Sequence, residues 1–150
     1  MKVSEALVEA RALIEDEQSW TQGTDWRDAE GGEIYPSGWL ALARDDGPAP
    51  GRPCQFCATG AVRWVCLKAE EREPTQTAST YTKALMLLNR TAGRLTNEHG
   101  RVSMAAYNDS ASHADVLLAF DLAIATARID EQVREQVKQS RGRGIVREAN

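Results

Sequence analysis

Apolar residues recur at helical spacing in four stretches of the chain. Val3, Leu7, Ala10 and Ile14 stand three or four apart with charged residues between them, which predicts a helix from Ser4 to about Glu17. Ser4 suits its N-cap, while the acidic run Glu15-Asp16-Glu17 opposes the helix dipole and should end the helix early, with Trp20 packing back onto it. A second helix is expected from Cys57 or Ala58 to about Glu70, with Ala58, Ala61, Val62, Val65 and Cys66 as its inner face. The small residues Ala58, Gly60 and Ala61 would let another backbone come close. Arg72-Glu73-Pro74 breaks this helix, and Thr75 or Thr77 caps a third, on which Tyr81, Leu85, Leu88, Ala92 and Leu95 form one stripe. Asn97-Glu98-His99-Gly100 closes that helix as a turn. The fourth opens at Ser112 with Asp115 in the capping-box position, and its Val116–Ala125 run is apolar nearly all round, which marks the central core helix.

The connecting stretches read differently. Thr21 to Pro53 is rich in Gly, Asp and Pro, with a short irregular hairpin expected around Glu30 to Glu33, turn chemistry at Pro36-Ser37-Gly38, and a surface loop from Asp45 to Pro53. Arg101 to Tyr107 alternates, with Val102, Met104 and Ala106 on one side, and predicts a short extended piece leading into Asn108-Asp109-Ser110. From Asp130 the pattern turns polar, and Gln139 to Asn150 is expected to fray into a mobile tail. The expected architecture is therefore a mainly α single domain over residues 1–130, of about four helices with an irregular hairpin, followed by a polar helix end and tail over 131–150.

Composition narrows the function classes. A chain of 150 residues with 42% apolar and 27% charged residues is one globular domain with an adequate core. A net charge of −4 provides no global field for nucleic acid or an anionic membrane, and no apolar run is long enough to span a bilayer. The N-terminus lacks the apolar segment of a signal peptide, and the three cysteines have no framework spacing, so reduced thiols and a cytoplasmic setting are expected. No phosphate-cradling glycine loop is present, no motif calls for a cofactor, and nothing in the sequence sets the oligomeric state.

An N-terminal helix closing on Trp20-Thr21-Gln22-Gly23, then Cys57-Ala58-Thr59-Gly60-Ala61, then Asn108-Asp109-Ser110 ahead of Asp115-Val116-Leu117, with Phe120-Asp121-Leu122-Ala123-Ile124 closing the core, resembles DUF6197. This is a family of small proteins of unknown function found in actinobacteria, other bacteria and their phages. The resemblance runs from about Leu7 to Ala127 and implies an origin and a shape more than an activity. Cys54, Cys66 and the tail after Asp130 fall outside its pattern.

The residues offer three chemistries. A thiol at a helix start feels unpaired N–H groups, so Cys57 could be nucleophilic if His113, with Asp109 or Asn108, came within reach as base and orienter. The structural counterpart is that Cys57 is a small buried hydrophobe, Asn108 and Asp109 fix a turn, and His113 lies on the surface. Cys54-x-x-Cys57 could begin a zinc site only with His99, His113 or carboxylates completing it, while a redox pair lacks its usual strand-helix-strand setting. Thr59, Gly60, Asn108, Asp109, Trp26 and Trp39 could line a ligand site, although Trp20, Trp26 and Trp39 would serve equally to cover the open end of a helical bundle. The expected function is that of a non-enzymatic phage or mobile-element accessory protein that binds a host protein or small ligand. A thiol-dependent enzyme is the first alternative, and a small structural or zinc-stapled module the second.

Overall fold

The computed structural model describes residues 1–34, 52–70, 74–98 and 102–145. The fold is mainly helical. Five α-helices stand among the described residues: α1 (Val3–Leu13), α2 (Ala58–Glu70), α3 (Pro74–Leu95), α4 (Met104–Ser110) and α5 (His113–Ile145). A single 3-10 turn, Glu17–Ser19, follows α1, and two short strands, β1 (Trp26–Arg27) and β2 (Gln55–Phe56), pair antiparallel with Trp26 opposite Phe56.

Helix α1 packs against α2, α3 and α5, α3 packs against α2 and α5, and α4 contacts α2, α3 and α5. The largest fully buried side chains, among them Leu7, Ile14, Trp26, Val62, Leu88, Met104 and Phe120, come from every one of these elements and form one core. The expected inner face of α2 is buried in full, as are Leu88 and Ala92 of the α3 stripe. α1 runs antiparallel to α5, tied near its start by Ser4 to Glu131 and near its end by Arg11 to Asp121 at 2.7 Å.

Several local expectations are corrected. The N-cap position of α1 is Lys2, whose N–H donates to Glu5 Oε2 at 2.8 Å. Ser4 lies inside the first turn and donates its N–H and its hydroxyl to Glu131, at 3.0 and 2.7 Å, so a carboxylate from α5 supports the positive end of α1. Thr75 and Thr77 lie within α3, which opens on Pro74, a residue whose missing N–H costs nothing at a first helical position. The piece expected to be extended is helix from Met104 on, Arg101 itself lying outside the described residues: Ser103 accepts the Ala106 N–H, Asn89 of α3 accepts that of Met104, and the buried residues Met104, Tyr107 and Asn108 follow a three-and-four spacing. Ala106, expected beside Met104, is exposed.

The hairpin expectation holds locally. Asp28 and Gly32 close a turn, and the Ile34 N–H returns to the Trp26 carbonyl at 3.1 Å. Ser112 caps α5 as expected, accepting the Asp115 N–H while its hydroxyl donates to the Asp115 carboxylate at 2.6 Å. α5 then continues to Ile145, well past the polar change at Asp130. Pro36-Ser37-Gly38, Trp39, the loop from Asp45 to Gly51 and His99 lie outside the described residues.

Candidate functional site

One buried asparagine joins three distant stretches. Asn108 is fully buried on α4, and all of its side-chain hydrogen-bonding groups are used. Its Oδ1 accepts the indole N–H of Trp20 at 2.8 Å and the backbone N–H of Ala58 at 3.0 Å. Its Nδ2 donates to the Thr21 carbonyl at 3.0 Å and to Asp109 Oδ1 at 3.2 Å. Two obligate donors meeting at one atom fix the amide's orientation. Ala58 opens α2, so Asn108 also satisfies one of the orphan donors that every helix start carries. Around it, Gln22 Nε2 donates to the Asn108 carbonyl at 2.7 Å, and the Gly23 N–H reaches Asp109 Oδ1 at 2.8 Å, with Gly23 in the left-handed region at φ +77°. The loop from Trp20 to Gly23 is latched to α4 and to the start of α2.

Cys57 caps α2. Its Sγ accepts the Gly60 N–H at 3.2 Å and lies 3.1 Å from Thr59 Oγ1 and 3.5 Å from Asp25 Oδ1. Asp25 also pairs with Arg63, whose guanidinium contacts the Tyr81 hydroxyl. Burial pushes the Cys57 thiol up from its ordinary range, and the Asp25 carboxylate pushes it the same way, against opposing hydrogen bonds from Thr59 and Gly60. This environment holds a thiol rather than a thiolate. The backbone crosses closely here: a Cβ on Gly60 would stand 2.1 Å from the Asp25 carbonyl oxygen. Trp26, fully buried, donates its indole N–H to the Gly60 carbonyl at 2.9 Å and meets Trp64 edge-on at 5.8 Å.

His113, at the start of α5, places Nε2 2.6 Å from the Ile14 carbonyl oxygen, so that nitrogen carries a proton. Its ring packs against Trp20 at 5.3 Å. Trp20 thus joins Asn108 and His113. Among the described residues Cys57 and His113 share no hydrogen bond; the partners of Cys57 are Asp25, Thr59 and Gly60.

A cleft that the sequence did not single out opens where α1, α3 and α5 diverge, with a cavity of about 180 Å³. Val3, Leu87 and Ala127 give it an aliphatic floor, with Met86, 59% exposed, at its edge. Lys83, Arg90 and Arg134 stand around it with Asp130 and Glu131, and none of these three cations forms an ion pair among the described residues. Glu131 is already engaged by Ser4. A second hollow, of about 560 Å³, shares Glu131 and Arg134 with the cleft and continues it along α5 past Lys2 and Lys138.

The sequence pattern of a family of unknown function, DUF6197, matches residues 1–126. The chain belongs to this family. No curated protein and no solved structure matches it. The motifs that carry the DUF6197 resemblance, Trp20–Gly23, Cys57–Ala61 and Asn108–Asp109, are the segments that the Asn108 latch and the Cys57 cap join. Of the expected site residues in this DUF6197 chain, Cys57, Thr59 and Gly60 stand together, Asn108 and Asp109 adjoin them through Ala58 and Gly23, and His113 is linked through Trp20. Trp26 is core. Cys54 is exposed and Cys57 and Cys66 are buried, and among the described residues no three His, Cys, Asp or Glu side chains are grouped to hold a metal. No described helix is long and apolar enough to cross a membrane.

Proposed function

We propose that this DUF6197 protein is a non-enzymatic binding protein that works through the cleft between α1, α3 and α5. The observation that carries this reading is the set of three cations, Lys83, Arg90 and Arg134, around an aliphatic floor, without ion-pair partners among the described residues. Such a cleft suits a carboxylate attached to a short apolar group, presented by a small ligand or by an acidic side chain of a partner protein. The surroundings of the sequence motifs support the same reading. A thiol kept protonated by burial and a histidine engaged with a backbone carbonyl leave the Cys57 region arranged as a joint of the fold. In this reading the protein acts in the cytoplasm as a phage or mobile-element accessory protein, and its target is a host protein or a small ligand.

The test is an NMR titration of the 15N-labelled full chain with short aliphatic carboxylates and with acidic acetylated tripeptides. Saturable shifts are expected at Lys83, Leu87, Arg90, Ala127 and Arg134, weakening as salt is raised and lost in an Arg90→Gln, Arg134→Gln double variant. Absence of saturable shifts, or shifts scattered away from these residues, would refute the cleft as the binding site.

A further inference from the structure

The cleft between α1, α3 and α5 carries both signs of charge. Lys83, Arg90 and Arg134 stand around it with Asp130 and Glu131, three cations against two carboxylates over the floor of Val3, Leu87 and Ala127. A ligand that brings only a carboxylate satisfies the cations but sets a like charge against the two acids. An acidic side chain of a partner protein has the same shortcoming.

Both acids are available to a ligand. Asp130 and Arg134 lie one turn apart on α5, the spacing at which opposite charges pair along a helix, yet among the described residues neither forms an ion pair. Glu131 is half-buried and held in place from α1: the Ser4 N–H donates to Oε1 at 3.0 Å and the Ser4 hydroxyl to Oε2 at 2.7 Å. A carboxylate has about four lone-pair sites, so Glu131 keeps capacity for a further donor. Its position is fixed before any ligand arrives, which lowers the ordering cost of binding. The cavity of about 180 Å³ is about six times the roughly 30 Å³ that a water molecule occupies in the liquid, room for a molecule of amino-acid size. We propose that, with this cleft as the binding site, the ligand is a free α-amino acid with an aliphatic side chain. Its carboxylate is taken by cations among Lys83, Arg90 and Arg134, its ammonium by Asp130 and Glu131, and its side chain covers Val3, Leu87 and Ala127. Ligand and cleft are then matched in sign at both charged groups of one small molecule.

Chemical-shift titration of the 15N-labelled full chain with leucine, with isocaproate, which lacks the ammonium, and with leucinol, which lacks the carboxylate, tests this. Leucine is expected to bind roughly five- to tenfold more tightly than either, with shifts at Lys83, Arg90, Ala127, Asp130 and Glu131. Asp130→Asn, at an exposed position, is expected to bring leucine down towards isocaproate while isocaproate binding holds or improves. Isocaproate binding as tightly as leucine, or a preference for leucine that Asp130→Asn leaves intact, would overturn the proposed pairing of an ammonium with Asp130 and leave the cleft as a carboxylate site. Leucinol matching leucine would overturn the amino-acid ligand by removing its carboxylate from recognition. Failure of all three to give saturable shifts in the cleft would overturn both the ligand and the cleft.

Discussion

Asn108 satisfies donors and acceptors from three segments at once, so its removal leaves the Ala58 N–H, the Trp20 indole N–H and the Thr21 carbonyl without partners in a buried place. Each orphaned group costs about 1–3 kcal/mol. Asn108→Ala is therefore expected to lower unfolding stability by at least about 3 kcal/mol, read from urea denaturation. Gly60 is constrained by space: the added methyl of Gly60→Ala would meet the Asp25 carbonyl at 2.1 Å, and overpacking of this kind costs about 1–3 kcal/mol. Retained stability in either variant would contradict the latch. The sequence made these residues legible as distinctive, because a Cys-Ala-Thr-Gly run before a helix and an Asn-Asp pair stand out. It did not reveal their partners, since a contact such as Trp20 to Asn108 spans 88 positions and depends on tertiary placement.

At the scale of elements, the helices with strong apolar periodicity were the readable ones. α2 matches its expected bounds, because Gln55-Phe56 are held in β2, Cys57 caps the first turn, and the buried stripe is regular. α4 was misread because seven residues are too few to separate a three-and-four spacing from alternation, and Met104 and Ala106 suggested the latter. Only packing against α2 and α3, together with caps from Ser103 and Asn89, decides it. α5 looked apolar all round because two opposite faces are apolar, of which one remains exposed. The Ser112 cap was visible from spacing alone, and Ser112→Ala is expected to cost about 1 kcal/mol in thermal or chemical unfolding. The two strands could not be foreseen, since residues 26–27 and 55–56 pair across a long intervening segment.

For the whole molecule, burial of Cys57 couples stability to pH. Its thiol is raised in the folded chain, so above the ordinary thiol range, near about 8.5, the unfolded chain loses a proton that the folded chain keeps. The contribution is complete below that pH and is lost as pH rises towards the folded-state value. Stability should fall in alkaline solution, and Cys57→Ala should flatten the fall; a wild-type curve no steeper than that of the variant would contradict it. The cleft, in contrast, was not legible in the sequence. Val3, Lys83, Arg90 and Arg134 come from three helices, and no local pattern announces that they share one hollow.

The claim that the motif region is a joint of the fold, and that the protein binds rather than catalyses, is tested most directly by alkylating the native thiols across pH with each cysteine resolved by mass. Exposed Cys54 serves as the internal standard. Cys54 should react readily, while Cys57 and Cys66 stay protected until the protein unfolds. Rapid alkylation of Cys57 well below pH 8.5, abolished by His113→Ala, would contradict the account and make Cys57 a working nucleophile.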